Sequence, residues 1–104
     1  MIEVRLEKFL LDYIENHQCK KCEIQIRDLN KCIDEMRKHN IHVNFYQPEL
    51  SLLINKNEGH LFWENGKIMY DEIFVQRLKE YDFSIDPEGE STYNAIIKWV
   101  DCVK

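Results

Sequence analysis

The chain has 104 residues, 44% of them apolar, which fits one domain (residues 1–104) able to bury roughly two thirds of its unfolded surface. No apolar run exceeds three residues, which excludes a membrane span, and Glu3, Glu7 and Asp12 spoil the start as a signal peptide, so a cytoplasmic protein with reduced thiols is expected. The net charge of −5 is uneven: residues 1–48 sum to zero, 49–70 to −1 and 71–104 to −4, a distribution that repels nucleic acid and attracts basic surfaces.

From Glu3 to Asn16, Leu6, Phe9, Leu10, Tyr13 and Ile14 recur at helical spacing, which predicts a first helix ending near His17. A second helix, opening near Cys22 or on an Asp28 cap, places Ile26, Leu29, Ile33 and Met36 on one stripe and stops at Asn40. Ile24 and Ile26 alternate with Glu23 and Gln25, leaving a short strand open there. Period two then predicts strands over Ile41–Tyr46, Leu50–Asn55, His60–Glu64 and Lys67–Tyr70. Asn65-Gly66 is a two-residue hairpin turn that pairs Trp63 with Ile68 and Phe62 with Met69. Alternation then turns Trp63 and Ile68 inward and Phe62 and Met69 outward. Asp71 caps a third helix reaching about Tyr81; a loop spans 82–90; Ser91 caps a last helix with Tyr93, Ile96, Ile97, Val100 and Val103 inward. The expected fold is α+β, in approximate order ααββββαα, with an antiparallel meander over about 41–70 packed by N- and C-terminal helices.

The stretch HQCKKC at 17–22 raises a metal reading. Cys19 and Cys22 have the C-x2-C spacing that matches tetrahedral zinc, and His17 and Cys32 are the further ligands it would need. A second close cysteine pair is missing, and Cys32 lies on the apolar stripe of the second helix, where a small buried thiol is ordinary. The pair follows a helix instead of opening one, contrary to a redox motif. No metal or other cofactor is therefore expected, and zinc binding through these four residues is the alternative.

No nucleophile elbow, phosphate loop, His-Glu-x-x-His helix or spaced carboxylate pair appears, so the chain is not expected to be an enzyme and no catalytic residue is assigned. Two helices followed by a hairpin invite comparison with a winged helix, but Arg27, Lys31, Arg37 and Lys38 are offset by Asp28, Asp34 and Glu35, which lacks the basic footprint of a DNA binder. Two features suggest a protein partner instead. Phe62 and Met69 are candidate exposed anchors on the outer hairpin face. Asp82, Asp86, Glu88 and Glu90 lie in a stretch without a base between Lys79 and Lys98.

In size, acidity and lack of a catalytic signature the chain is similar to small bacterial toxin-immunity proteins and to phage-encoded inhibitors of nucleases; the likeness is one of general character and carries no residue over. It implies an immunity protein that binds and neutralises a nuclease toxin by covering its basic active-site cleft, with the acidic residues standing in for phosphates. The alternatives are a phage-encoded anti-defence (anti-CRISPR-like) inhibitor and a small zinc-binding regulatory protein. Neither nucleic acid nor membrane is an expected direct partner. Both monomer and homodimer fit the sequence, since an exposed edge strand favours self-association.

Overall fold

The computed structural model describes residues 2–17, 22–81 and 87–99, with side chains described from 89 to 98 in the last of these segments. Among the described residues the chain is an α+β fold that runs β1 (Ile2–Val4), α1 (Leu6–His17), β2 (Glu23–Gln25), α2 (Ile26–Lys38), β3 (Ile41–Val43), α3 (Gln47–Lys56), β4 (Leu61–Glu64), β5 (Lys67–Tyr70), α4 (Glu72–Lys79) and α5 (Pro87–Trp99). Strands β2, β5 and β4 form an antiparallel sheet in that order, while β1 and β3 form a separate parallel pair.

The α+β class, the hairpin and its register follow the sequence pattern, but the meander does not. Leu50–Asn55 is helical within α3, not a strand. Leu50 and Leu53 are buried while Leu52 is 60% exposed, so the period that packs is three to four and not two. Pro48 belongs to the first turn of this helix, where its missing N–H costs no hydrogen bond. Strand β3 ends at Val43 and pairs in parallel with β1, Ile2 with Ile41 and Val4 with Val43. This pairing joins residues 39 apart, so neither partner is visible to local periodicity. The third strand of the antiparallel sheet is β2, whose Ile24 sits opposite Ile68.

Local chemistry sets several boundaries. Helix α2 starts at Ile26 instead of on an Asp28 cap; its first N–H donates to the Gly66 carbonyl at 2.9 Å, so the hairpin turn satisfies a helix donor that no side chain caps. Asn40 adopts φ 61° just past the helix, the left-handed stop that Asn tolerates. Helix α5 begins at Pro87, not Ser91, so Glu88 and Glu90 belong to its first turns instead of a loop. Acids there are favoured by the helix dipole. Gly89 packs closely on β1: a Cβ on it would lie 1.8 Å from Ile2 Cδ1, so a larger residue there has to push the end of that side chain aside.

One core unites these elements. Phe9, Leu10 and Tyr13 of α1, Leu29, Cys32 and Met36 of α2, and Tyr93, Ile96 and Ile97 of α5 bury against Ile24, Leu61 and Ile68 of the antiparallel sheet and Phe74 of α4. Among the described residues no helix is long and apolar enough to cross a membrane.

Candidate interaction surface

The hairpin carries two adjacent large apolar side chains that meet solvent, Phe62 and Trp63; Tyr46, Leu52, Ile73 and Tyr81 are exposed elsewhere on the fold. Asn65 and Gly66 take φ 50° and 73°, the two positive values that a type I′ turn demands and that match the twist of the strands. The turn fixes the register Leu61–Tyr70, Phe62–Met69, Trp63–Ile68 and Glu64–Lys67, and β2 extends these rows with Glu23 beside Met69 and Ile24 beside Ile68. The row Ile24, Ile68, Trp63 therefore faces the core, and the rows Glu23, Met69, Phe62 and Gln25, Lys67, Glu64 face outward.

Phe62 is 49% exposed and Met69, on the central strand, is half-buried; both lie on the solvent side. Ile68 is buried, but Trp63, expected inward as a core residue, is 49% exposed. Alternation gave its face correctly and not its depth. Trp63 sits on β4, the edge strand, one residue from the turn, where the row it belongs to has run past the core. Three consecutive β4 residues, Phe62, Trp63 and Glu64, are exposed, so this edge is open on both faces.

Hydrogen bonding along β4 has the same asymmetry. Asp71 N–H donates to the His60 carbonyl at 3.2 Å, which with the two-residue turn places 60, 62 and 64 toward β5 and leaves 61 and 63 pointing away. Leu61 N–H is taken by the Asn57 carbonyl at 3.1 Å. Among the described residues, the Trp63 N–H and C=O meet no backbone partner at the open edge. Glu64 is unpaired as well: Lys67 Nζ reaches across to Glu23 at 3.3 Å, and among the described residues Glu58, Glu64 and Glu72 make no ion pair.

The far end of the hairpin is locked. His60 Nδ1–H donates to Asp71 Oδ2 at 2.6 Å, and the other Asp71 oxygen accepts the Phe74 N–H at 3.0 Å as the N-cap of α4. The hydrogen bond from His60, aided by that from Phe74, holds the Asp71 carboxyl below the usual carboxylate range. Buried Asn57 donates to the Leu53 carbonyl at 2.9 Å and accepts from Arg77 at 3.2 Å. An imidazole oriented by a carboxylate resembles half of a catalytic triad, but among the described residues no hydroxyl or thiol bonds the His60 ring. The pair joins the start of β4 to the start of α4.

A second polar cluster ties α1 to α5. Tyr93 is fully buried, and its hydroxyl donates to Asp12 Oδ2 at 2.8 Å, where Lys8 Nζ also binds at 3.0 Å. Burial, followed by the Asp12 charge, pushes the Tyr93 phenol far above its usual range. His17 Nε2–H donates to the Ile97 carbonyl at 2.9 Å, with its ring 4.3 Å from that of Tyr13.

The residues considered for zinc are dispersed in role. His17 is engaged with α5, Cys22 is half-buried at the entry to β2, where its carbonyl accepts the Tyr70 N–H, and Cys32 is buried in the α2 stripe. Cys19 lies outside the described residues. Among the described residues no group of three or more His, Cys, Asp or Glu is placed to hold a metal ion. Of the acidic candidates, Glu90 is exposed on α5, while Asp82, Asp86 and the Glu88 side chain lie outside the described residues. Sequence reading missed the open backbone of β4 and the exposure of Trp63, because the expected meander put this strand inside the sheet, whereas β2 pairs with β5 and leaves β4 at the edge.

No family model matches the chain, and no curated protein or solved structure is significantly similar to it.

Proposed function

We propose that the protein binds and neutralises a protein partner with a basic surface, as an immunity protein does when it blocks the active-site cleft of a bacterial nuclease toxin. The observation that carries this reading is the outer hairpin face, where the half-exposed Phe62 and the neighbouring Met69 stand beside the unpaired Glu64. Exposed aromatics anchor interfaces when they enter desolvated pockets, and a surplus of unpaired acids attracts a basic partner over a Debye length. The formal charge of −5 supports the same polarity. Glu90 adds to it from α5, and Asp82, Asp86 and Glu88 enter by sequence alone.

The test begins with capture of the partner from the native host on the tagged chain, followed by titration of that partner's nuclease activity with purified protein. Stoichiometric inhibition is expected, weakened by Phe62→Ala without loss of folding. Replacing Asp82, Asp86, Glu88 and Glu90 with Asn or Gln should slow association and remove much of its salt dependence. A captured chain whose nuclease activity is untouched at saturation overturns the reading. So does an unchanged on-rate of the fourfold variant at low salt, as far as those four acids are concerned.

A further inference from the structure

The open edge of β4 has a backbone geometry that the proposed binding of a basic partner does not use. We infer that β4 pairs antiparallel with β4 of a second copy, about a two-fold axis at Trp63, to give a six-stranded sheet. The backbone points to this first. Trp63 N–H and C=O both face the open edge without a partner among the described residues, so Trp63 opposite Trp63 of a second copy satisfies both groups reciprocally. Strand β4 reads Leu-Phe-Trp-Glu and has no Lys, Pro or bulge, three of the devices by which edge strands are protected from such pairing; its shortness and Glu64 limit the pairing to a small contact.

The side chains agree on both faces. On the core side, the row Ile24, Ile68, Trp63 continues into the same three residues of the second copy in reverse, covering two indoles that are each 49% exposed in the monomer. On the outer side this register sets Glu64 of each copy opposite Phe62 of the other, so the paired edges place no like charges directly across from one another. Shifting the register to bring Glu64 opposite Glu64 would do so. The isologous contact uses the β4 edge of both copies and therefore stops at two. A four-residue edge with two half-exposed aromatics per copy makes a small contact, so the dimer is a weak one.

Salt separates this association from the one proposed above. Two copies of charge −5 repel at long range, so screening tightens the dimer, whereas it loosens a complex with a basic partner. The experiment is sedimentation equilibrium of the purified chain from about 10 µM to about 1 mM at low and high salt, with amide hydrogen exchange read at Trp63. The expected result is a monomer–dimer equilibrium that strengthens with salt, with the Trp63 amide exchanging freely when dilute and slowing several-fold as the dimer fills. Trp63→Lys should raise the dissociation constant about tenfold or more, and Trp63→Pro should do the same without breaking a β4–β5 hydrogen bond. A chain that is monomeric throughout overturns the inference and leaves the edge to a foreign strand. A dimer with an unprotected Trp63 amide, or one that Trp63→Lys leaves intact, overturns it as well. Because Phe62 and Glu64 also belong to the surface proposed for the basic partner, that titration is run at protein concentrations well below the dissociation constant of the dimer, and the opposite salt dependence tells the two associations apart.

Discussion

The α1–α5 seam and the β4 edge hold similar side chains in opposite circumstances. In the seam the Tyr93 phenol is fully buried and answered by Asp12, which Lys8 neutralises, while His17 bonds a carbonyl of α5. At the edge two aromatics remain half in solvent, a backbone N–H and C=O point outward, and Glu64 has lost Lys67 to Glu23. Every strong interaction of the seam is closed within the chain, and the edge is where interactions remain open. Burial with a partnered hydroxyl gives stability, and an uncommitted aromatic edge gives capacity for another surface.

The largest effect that can break this contrast lies in the core behind the seam. Phe9 is fully buried on α1, so Phe9→Ala should leave a cavity and cost about 3–5 kcal/mol in urea unfolding. A cost near 1 kcal/mol would mean that α1 is packed more loosely than its burial indicates. Tyr93→Phe keeps the ring and removes one hydrogen bond to a partly exposed, already neutralised carboxylate; about 1–2 kcal/mol is expected. The same variant should leave the oligomeric state and any partner affinity unchanged.

How much of this was legible in the sequence follows from the range of each signal. Asn65-Gly66 set the hairpin register because a turn is local, and Asn40 and Asp71 marked helix ends for the same reason. Leu50, Leu52 and Ile54 imitate a strand because a six-residue stretch with four Leu and Ile satisfies both periods; Pro48 is the discriminating residue, a helix-start signal that reads equally as a strand break. The pairing of β1 with β3 and the bond from Tyr93 to Asp12, 81 residues apart, have no local signature at all. For the candidate surface, alternation assigned Phe62 and Met69 to the outer face, but the exposure of Trp63 depends on β2 joining at β5 and leaving β4 at the edge. Glu88 and Glu90 look like loop acids in the sequence because Pro87 suits a loop, but Pro is equally at home in a first helical turn.

A smaller effect, with a defined pH sign, tests the locked end of the hairpin. The Asp71 carboxyl is held below its ordinary pKa of 3.8 by His60 and by the Phe74 N–H. A carboxyl depressed in the folded state contributes stability that is fully present above the unfolded pKa and is lost as pH falls through the folded one. Thermal melts should therefore show Asp71→Asn below the native protein at pH 6, with the gap closing below about pH 4. A gap that persists unchanged to pH 2 would mean that the cap works equally well without its charge.

The effects expected at the edge itself are small beside that of Phe9→Ala. Trp63 and Phe62 are each half-exposed, so truncating them opens a notch that water fills, not a sealed cavity, and the cavity component of a core substitution is absent. What remains is the transfer of about half a side chain, about 1–2 kcal/mol for Trp63→Ala and about 1 kcal/mol for Phe62→Ala. The ordering against Phe9→Ala is more secure than either value, because it depends only on which side chains are enclosed. Measured by urea unfolding well below the dissociation constant of the dimer, so that self-association contributes nothing, both variants should remain folded with unchanged dependence on denaturant. A Trp63→Ala cost equal to that of Phe9→Ala would place the indole in the core and close the edge. Near-neutrality of both would mean that the fold maintains two large aromatics at β4 with little need of them for its own stability, as expected if their use is in contact with another chain.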